Sequence, residues 1–229
     1  MSVFGLTAGD GTGVRLAAAE IPVGARPADV AVAPDGSHVY VANVDSNTVS
    51  VIATNTGRVV RSPITFGFNP FCLAVAPDGS HVYVTNGGSN TVSVIDTITN
   101  AVDTTIPVGT GPVGVAVAPD GSHVYVANAG SNTVSVIDAT TNTVDTTIVV
   151  DTNPIPDIFP FGVAVAPDGR HVYVARGSAR TVSVIDTTTN TVVTTASVGN
   201  EPVGVVVAPD GRHVYVTNLG SNTVSVIDV

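Results

Sequence analysis

The chain is predicted to be all-β, a ring of repeated four-stranded sheets, and three observations predict it. The tetrapeptide Ala-Pro-Asp-Gly begins at Ala33, Ala76, Ala118, Ala166 and Ala208, at spacings of 43, 42, 48 and 42 residues. After one further residue each copy continues His-Val-Tyr-Val, so the same phrase is spelled five times. No segment carries helical periodicity; valine-rich runs at period two alternate with Gly, Pro, Asn and Asp instead. A period in the low forties is the length of one four-stranded propeller blade. One such unit is too short to bury a core of its own and must stack on its neighbours. The expected architecture is therefore a single β-propeller of five blades spanning residues 1–229.

The elements follow in order within the third copy. Val113 to Ala118 is the first expected strand, and Ala118-Pro119-Asp120-Gly121 has Pro at the second and Gly at the fourth position, as a type I turn prefers. His123 to Ala127 is the second strand, with valines alternating against His and Tyr. Gly130-Ser131-Asn132 turns into the third, Thr133 to Ile137, which is rich in β-branched residues. Asp138 to Asn142 is a polar turn with Asn available for a left-handed position, and Thr143 to Ile148 is the fourth strand. At the chain's start, Glu20-Ile21-Pro22-Val23-Gly24 matches Thr105-Ile106-Pro107-Val108-Gly109, so Val14 to Val23 reads as an outer strand. At its end, Thr223 to Val229 stops after a third strand. The N-terminal strand, within a closing region of residues 1–24, is expected to complete the last blade, with five repeats from about residue 25 to 229. Circular closure would remove exposed sheet edges.

The phrase His-Val-Tyr-Val-Ala/Thr-Asn followed by Ser-Asn-Thr-Val-Ser-Val-Ile-Asp resembles the YVTN-type β-propeller repeat over about Ala25 to Val229. The resemblance implies the fold rather than an activity. Members include surface-layer proteins and single-domain propellers, and related propellers include lactonases and a streptogramin lyase. Such folds commonly have six or seven blades, against five repeats here. Two readings follow: a closed five-bladed ring, or part of a longer propeller that assembles with another chain.

Composition narrows the function. The formal net charge of -10, with 8 basic against 18 acidic residues, excludes the clustered Lys and Arg that nucleic acid requires and disfavours an anionic membrane surface. Gly, Pro, Asn and Asp break every valine run before it reaches the length of a membrane-spanning helix. The opening MSVFGLTAGDG has neither a basic stretch nor a helix-length apolar segment, so no secretion signal is expected in the chain as it stands, which makes it cytoplasmic by default. The single cysteine, Cys72, excludes an internal disulfide. A monomer is expected.

All five histidines (His38, His81, His123, His171, His213) share one repeat position, and so do all five tyrosines (Tyr40, Tyr83, Tyr125, Tyr173, Tyr215). A residue present at every symmetric position serves the fold first, with His bonding near the Asp-Gly turn and Tyr packing between blades. No histidine is left over as a dedicated base. The turn aspartates Asp35, Asp78, Asp120, Asp168 and Asp210 read likewise. Asn43, Asn86, Asn128 and Asn218 form a ring suited to hydrogen bonding more than to a cation. Cys72 stands where the repeat has glycine and reads as a buried small hydrophobe. The sequence calls for no metal and no cofactor.

Function is sought where the repeats disagree. The connection before the second copy reads Phe66-Gly67-Phe68-Asn69-Pro70-Phe71-Cys72, and that before the fourth expands to Asp151 to Phe161. In the fourth copy the turn after the second strand becomes Arg176-Gly177-Ser178-Ala179-Arg180 in place of Asn-x-Gly-Ser-Asn. Both connections leave from the same end of a four-stranded meander, so the departures share one rim. The candidate ligand-binding residues are Phe68, Asn69, Phe71, Asp151, Asp157, Phe159, Phe161, Arg176 and Arg180, with Arg26 and Glu201 completing the rim. Guanidinium groups beside aromatic rings suit a small anionic or aromatic ligand; the competing reading pairs the arginines with Asp151 and Asp157 and uses Phe to cap the channel. The leading expectation is a non-enzymatic binding or scaffold module for a small molecule, glycan or peptide. The alternative is a small-molecule enzyme (lactone hydrolase, lyase or cyclase) using a rim carboxylate as acid or base.

Overall fold

The computed structural model describes residues 20–60, 63–150 and 160–229. They form five antiparallel sheets, each a meander of sequence neighbours. The first sheet holds β1 (Pro27–Val32), β2 (His38–Asn43) and β3 (Thr48–Ala53), with its outer position filled by two short pieces, β4 (Arg58–Val59) and β5 (Ile64–Thr65). The second holds β6 (Pro70–Val75), β7 (His81–Asn86), β8 (Thr91–Asp96) and β9 (Ala101–Pro107). The third holds β10 (Pro112–Val117), β11 (His123–Asn128), β12 (Thr133–Asp138) and β13 (Thr143–Val149); the fourth, β14 (Pro160–Val165), β15 (His171–Arg176), β16 (Thr181–Asp186) and β17 (Thr191–Ser197). The fifth holds β18 (Pro202–Val207), β19 (His213–Asn218) and β20 (Thr223–Asp228). The fold is an all-β propeller arrangement of repeated sheets.

The repeat fixes the register. In the third sheet His123 faces Asp138 and Asn128 faces Thr133, and the same pairing recurs in each of the other sheets at the equivalent positions. The turns behave as their residues dictate. The Gly121 N–H closes on the Ala118 carbonyl at 2.9 Å, with Gly121 at φ 74, a left-handed conformation that glycine adopts without strain. Asn100, Asn142 and Asn190 take the left-handed position in the turn before the outer strand, and Gly57 takes it in the first copy.

Packing between sheets makes the core. Tyr40, Ala42, Val49 and Val51 of the first sheet meet Leu73, Val82, Val84 and Ile95 of the second. The second meets the third in the same way, the third meets the fourth, and the fourth meets the fifth. Each fully buried valine or isoleucine contributes about 1.5–3 kcal/mol, so this one junction, used four times, carries most of the stability. The first strands stand side by side around the axis. A Cβ on Gly114 would overlap the Phe161 carbonyl oxygen, and one on Gly162 would stand 2.5 Å from that of Val203. Side chains at this position are excluded wherever the neighbouring strand comes so close.

The ends of the array depart from this pattern. Among the described residues the fifth sheet has three strands. The expected closing strand, Val14 to Val23, falls largely outside the described residues, and Glu20 to Val23 carry no strand pairing. The outward face of the fifth sheet is exposed at Tyr215, Val224 and Val226, whereas on that of the first sheet Val30 and Val32 are exposed but Val41 and Ile52 are buried. Pro63, which has no N–H to donate, accompanies the interruption between β4 and β5.

The turn carboxylates make stability depend on acid. The Ser122 backbone N–H and hydroxyl hold Asp120 below its ordinary value of 3.8, and Ser37 and Ser80 do the same for Asp35 and Asp78. The backbone N–H groups of Thr99, Thr141 and Thr189 lower Asp96, Asp138 and Asp186. A depressed folded-state value adds stability that is present above 3.8 and lost as pH falls through the lower, folded-state value. Thermal melts should therefore show a flat Tm at neutral pH and a decline that begins near 3.8 and deepens below it. Asp120→Asn should make that decline shallower; an unchanged decline would show these turns to be unlinked to acid stability.

Candidate functional site

Among the described residues, the rim is built in the first, second, third and fifth sheets by two loops bonding to one another. The turn after the second strand donates backbone N–H groups to the segment preceding the first: Val44 to Arg26, Gly87 to Asn69, Ala129 to Gly111 and Leu219 to Glu201, at 2.9–3.0 Å. The two departure-rich connections thus share one end of the sheets. The histidines begin the second strands and lie at the other end, a six-residue strand away, roughly 17–20 Å. They serve the Asp-Gly turn there. The Ser80 hydroxyl donates to Asp78 Oδ1 at 2.7 Å and sits 2.8 Å from His81 Nδ1, and Ser122 repeats this with Asp120 and His123. None of the five histidines reaches the rim.

At the rim, Arg26, Asn69 and Phe71 come together around a cleft of about 310 Å³ that also takes in Val44, Pro112 and Val113. Arg26 forms an exposed ion pair with Asp45, at 3.2 Å, a pairing worth little and easily opened. Phe71 and Val113 give the cleft an apolar wall. Phe68 stands exposed beside it, its backbone N–H donating to Ser89 Oγ at 3.2 Å and its carbonyl accepting from Gly88. Phe66, by contrast, packs into the core between the first two sheets.

Arg176, Arg180, Phe161 and Glu201 belong to the fourth and fifth sheets and do not line that cleft. Asp151, Asp157 and Phe159 lie outside the described residues. In the other four sheets the buried asparagine donates Nδ2 to a threonine and a serine of the third strand, as Asn128 does to Thr133 and Ser135 at 3.1 and 2.9 Å. Arg176 occupies that buried place in the fourth sheet and donates Nη1 to Ser183 at 3.4 Å. Arg180 takes the left-handed position, φ 54, that Asn47, Asn90, Asn132 and Asn222 take elsewhere. Asn47 Oδ1 accepts the Asn69 N–H of the next sheet at 2.9 Å, and Asn90 Oδ1 that of Gly111 at 2.8 Å. A guanidinium cannot accept such a bond.

One pair escaped the sequence reading. Asp29 and Cys72 occupy the axial position that is Gly114, Gly162 and Gly204 in the other copies. Asp29 Oδ2 accepts the Leu73 N–H across the junction of the first two sheets, at 2.9 Å. Burial, and then the Asp29 carboxylate, push the Cys72 thiol up to about 12. The signal was there: two non-glycine residues share a position that is glycine in the other copies and where the third and fourth copies leave no room for a side chain. A second cluster, His123, Asp138 and Asp145, brings its ligand-capable atoms within 4.8 Å at the end opposite the rim. Asp138 Oδ1 is already committed to the backbone N–H groups of Thr140 and Thr141.

The sequence pattern of the family described as "Lactonase, 7-bladed beta-propeller" matches residues 69–229, well over half of the chain. The chain belongs to this family. A YNCE-like β-propeller pattern matches residues 16–119. Among solved structures, a chain of the Kuenenia stuttgartiensis hydrazine synthase is 28% identical, with a TM-score of 0.79, over 90% of this chain and 59% of that one. The chain of the present propeller thus spans less than two thirds of that relative's length. A search of curated protein sequences returns no match.

Two outcomes test this site geometry. Arg180→Asn should raise stability by about 1 kcal/mol, because asparagine tolerates the left-handed region better than arginine and restores an acceptor for the next sheet; a lowered Tm would contradict the assignment. The Cys72 thiol should be alkylated at pH 8 about a thousandfold more slowly in the native than in the denatured chain. Rapid native labelling would show an accessible thiolate and overturn its place as a partly buried, protonated group.

Proposed function

We propose that the chain is a YVTN-type, five-blade binding module whose ligand sits on the rim, with Val14 to Val23 serving as an outer strand of a blade. The observation that supports this most is the gathering of repeat-breaking residues at one end. Arg26, Asn69 and Phe71 line a cleft there, while the invariant His, Tyr and turn Asp residues are spent on the fold. An arginine in a weak exposed ion pair beside an apolar wall suits a small carboxylate-bearing ligand, including a sugar acid or an acidic peptide end. The carboxylate would displace Asp45 from Arg26 and lay its apolar part on Phe71 and Val113. Arg176, Arg180, Phe161 and Glu201, with Asp151, Asp157 and Phe159, extend the binding rim over the fourth and fifth blades.

Saturation-transfer NMR against a panel of sugar acids and short acidic peptides tests the reading. Arg26→Ala and Phe71→Ala should each weaken a bound member at least about tenfold without lowering Tm. The double change of Arg176 and Arg180 to Asn, the residues other blades carry, separates the two halves of the rim by which ligands it loses. No binding by any panel member, or affinities indifferent to all these changes, would refute the proposal.

The family match favours one second reading, hydrolysis of a lactone at the same rim. Glu201, or Asp151 or Asp157, would take a proton from the water attacking the ring carbonyl, and Arg176 or Arg180 would stabilise the oxyanion. Proton release from γ- and δ-lactones in weak buffer, abolished by Glu201→Gln or its Asp151 or Asp157 counterparts, would establish it. Release equal to the uncatalysed rate would leave binding as the function.

A further inference from the structure

We infer that the cleft between the second and third sheets, at the end opposite the rim, holds an arginine side chain of a basic peptide or protein. Charge is gathered there. Residues 69–150, which span these two sheets, carry six aspartates and no lysine or arginine. All six lie at that end. Asp78 and Asp120 sit in the Ala-Pro-Asp-Gly turns, Asp96 and Asp138 end the third strands opposite His81 and His123, and Asp103 and Asp145 lie near the start of the outer strands. The fourth and fifth sheets differ, because Arg170 and Arg212 stand where Ser80 and Ser122 stand and mix positive charge into the same end. A partner steered by this field meets the second and third sheets with its cationic groups first.

Acidic turns alone would be a solvated surface, and the cleft adds what makes them a site. Its volume is about 490 Å³, and it takes in Asp78, His81 and Tyr83 of the second sheet with Asp120 and Thr140 of the third. Tyr83 is 2% exposed, and its hydroxyl, the one polar atom of a side chain otherwise spent on the core, has no hydrogen-bond partner among the described residues. A buried tyrosine hydroxyl ordinarily finds a partner. Burial, and then the carboxylates of Asp78 and Asp138, raise its pKa above 10.0, so it stays a neutral hydroxyl with lone pairs to offer. Carboxylates from two neighbouring sheets thus stand near one unpartnered hydroxyl, an arrangement that a cation completes.

The groups around the cleft are set as acceptors. The Ser80 hydroxyl donates to Asp78 Oδ1 at 2.7 Å, so its oxygen accepts from His81 Nδ1 at 2.8 Å. The neutral imidazole then keeps Nε2 as a lone pair. Asp78 and Asp120 each spend Oδ1 on the backbone N–H and hydroxyl of a serine, which leaves Oδ2 of both for a ligand. Acceptors on several sides suit the fork of a guanidinium, with its five donors, better than the point charge of an ammonium. Pro77 and Ala139 give the cleft an apolar wall, against which the methylene stem of an arginine packs.

The test is a heteronuclear NMR titration of the full chain with the peptide Gly-Arg-Gly-Arg-Gly and with Gly-Lys-Gly-Lys-Gly, at low and high salt. At low salt the arginine peptide should shift signals around Asp78, His81, Tyr83 and Asp120, and high salt should weaken the effect. The lysine peptide should bind at least about threefold more weakly. Ser80→Arg, which brings to the cleft the residue that the fourth and fifth copies carry, should weaken the arginine peptide at least about tenfold. Tyr83→Phe should weaken it about threefold, and both variants should keep the circular dichroism spectrum of the wild type. Asp186→Asn, which removes a charge from the same end but outside the cleft, should change affinity less than about twofold. No binding, shifts spread over the turns of all five sheets, equal affinity for the two peptides, or equal losses in Ser80→Arg and Asp186→Asn would overturn the inference. If Ser80→Arg fails to fold, Tyr83→Phe decides, because it removes only the hydroxyl; unchanged affinity there overturns the inference as well.

Discussion

The structure depends on one contact, the seating of a Tyr-Ala-Val-Val surface of one sheet on the Val-Val-Ile surface of the next. A four-stranded meander of about forty residues cannot bury both its faces alone, so each blade is stable only between neighbours. The contact explains the composition: strands buried on both faces read as near-continuous valine. It also explains the punctuation. The junction requires a fixed register, and the register is held by turns whose Gly or Asn residues take left-handed conformations at the same place in every copy.

Because the junction occupies the faces of the sheets, the loops at the rim are free to vary. The two ends of the blade differ in how far they use that freedom. The Asp-Gly end keeps its carboxylate–serine–histidine chain in the first three copies. Where Arg170 and Arg212 replace the serine, the backbone N–H still donates to Asp168 and Asp210 at 3.0 Å. At the rim, the backbone bonds between the paired loops persist while the side chains change from Arg26 to Asn69, Gly111 and Glu201. Main-chain bonding holds the scaffold, and side chains are available for recognition.

This division explains how much could be read from sequence alone. The strands of the third copy lie within a residue or so of where alternation placed them, because period-two valine runs bounded by turn residues leave little freedom. The common rim was legible because meander topology alone puts both connections at one end. Which rim residues meet in space was not legible. Arg26, Asn69 and Phe71 share a cleft lined from the first three copies, while Arg176 and Arg180 belong to the fourth and stand apart from it. Asp29 was missed for a related reason. Its role arises from a neighbouring strand that approaches closely enough to demand glycine in the third and fourth copies, where Asp29 and Cys72 stand in the first two.

Backbone conformation supplies the strongest physical argument for function at the rim. A left-handed residue other than glycine costs about 1–2 kcal/mol, and asparagine recovers part of it locally. Asn47 and Asn90 recover more by bonding the backbone of the next sheet. Arg26, Arg180 and Glu201 hold the same type of conformation, at φ 53, 54 and 51, without an amide to make that bond. Repeat symmetry offers asparagine or glycine at these places, and the fold would be at least as stable with them. Charged side chains kept at strained positions, all at one end of the molecule, are what selection for a surface chemistry would leave, because stability alone would have removed them.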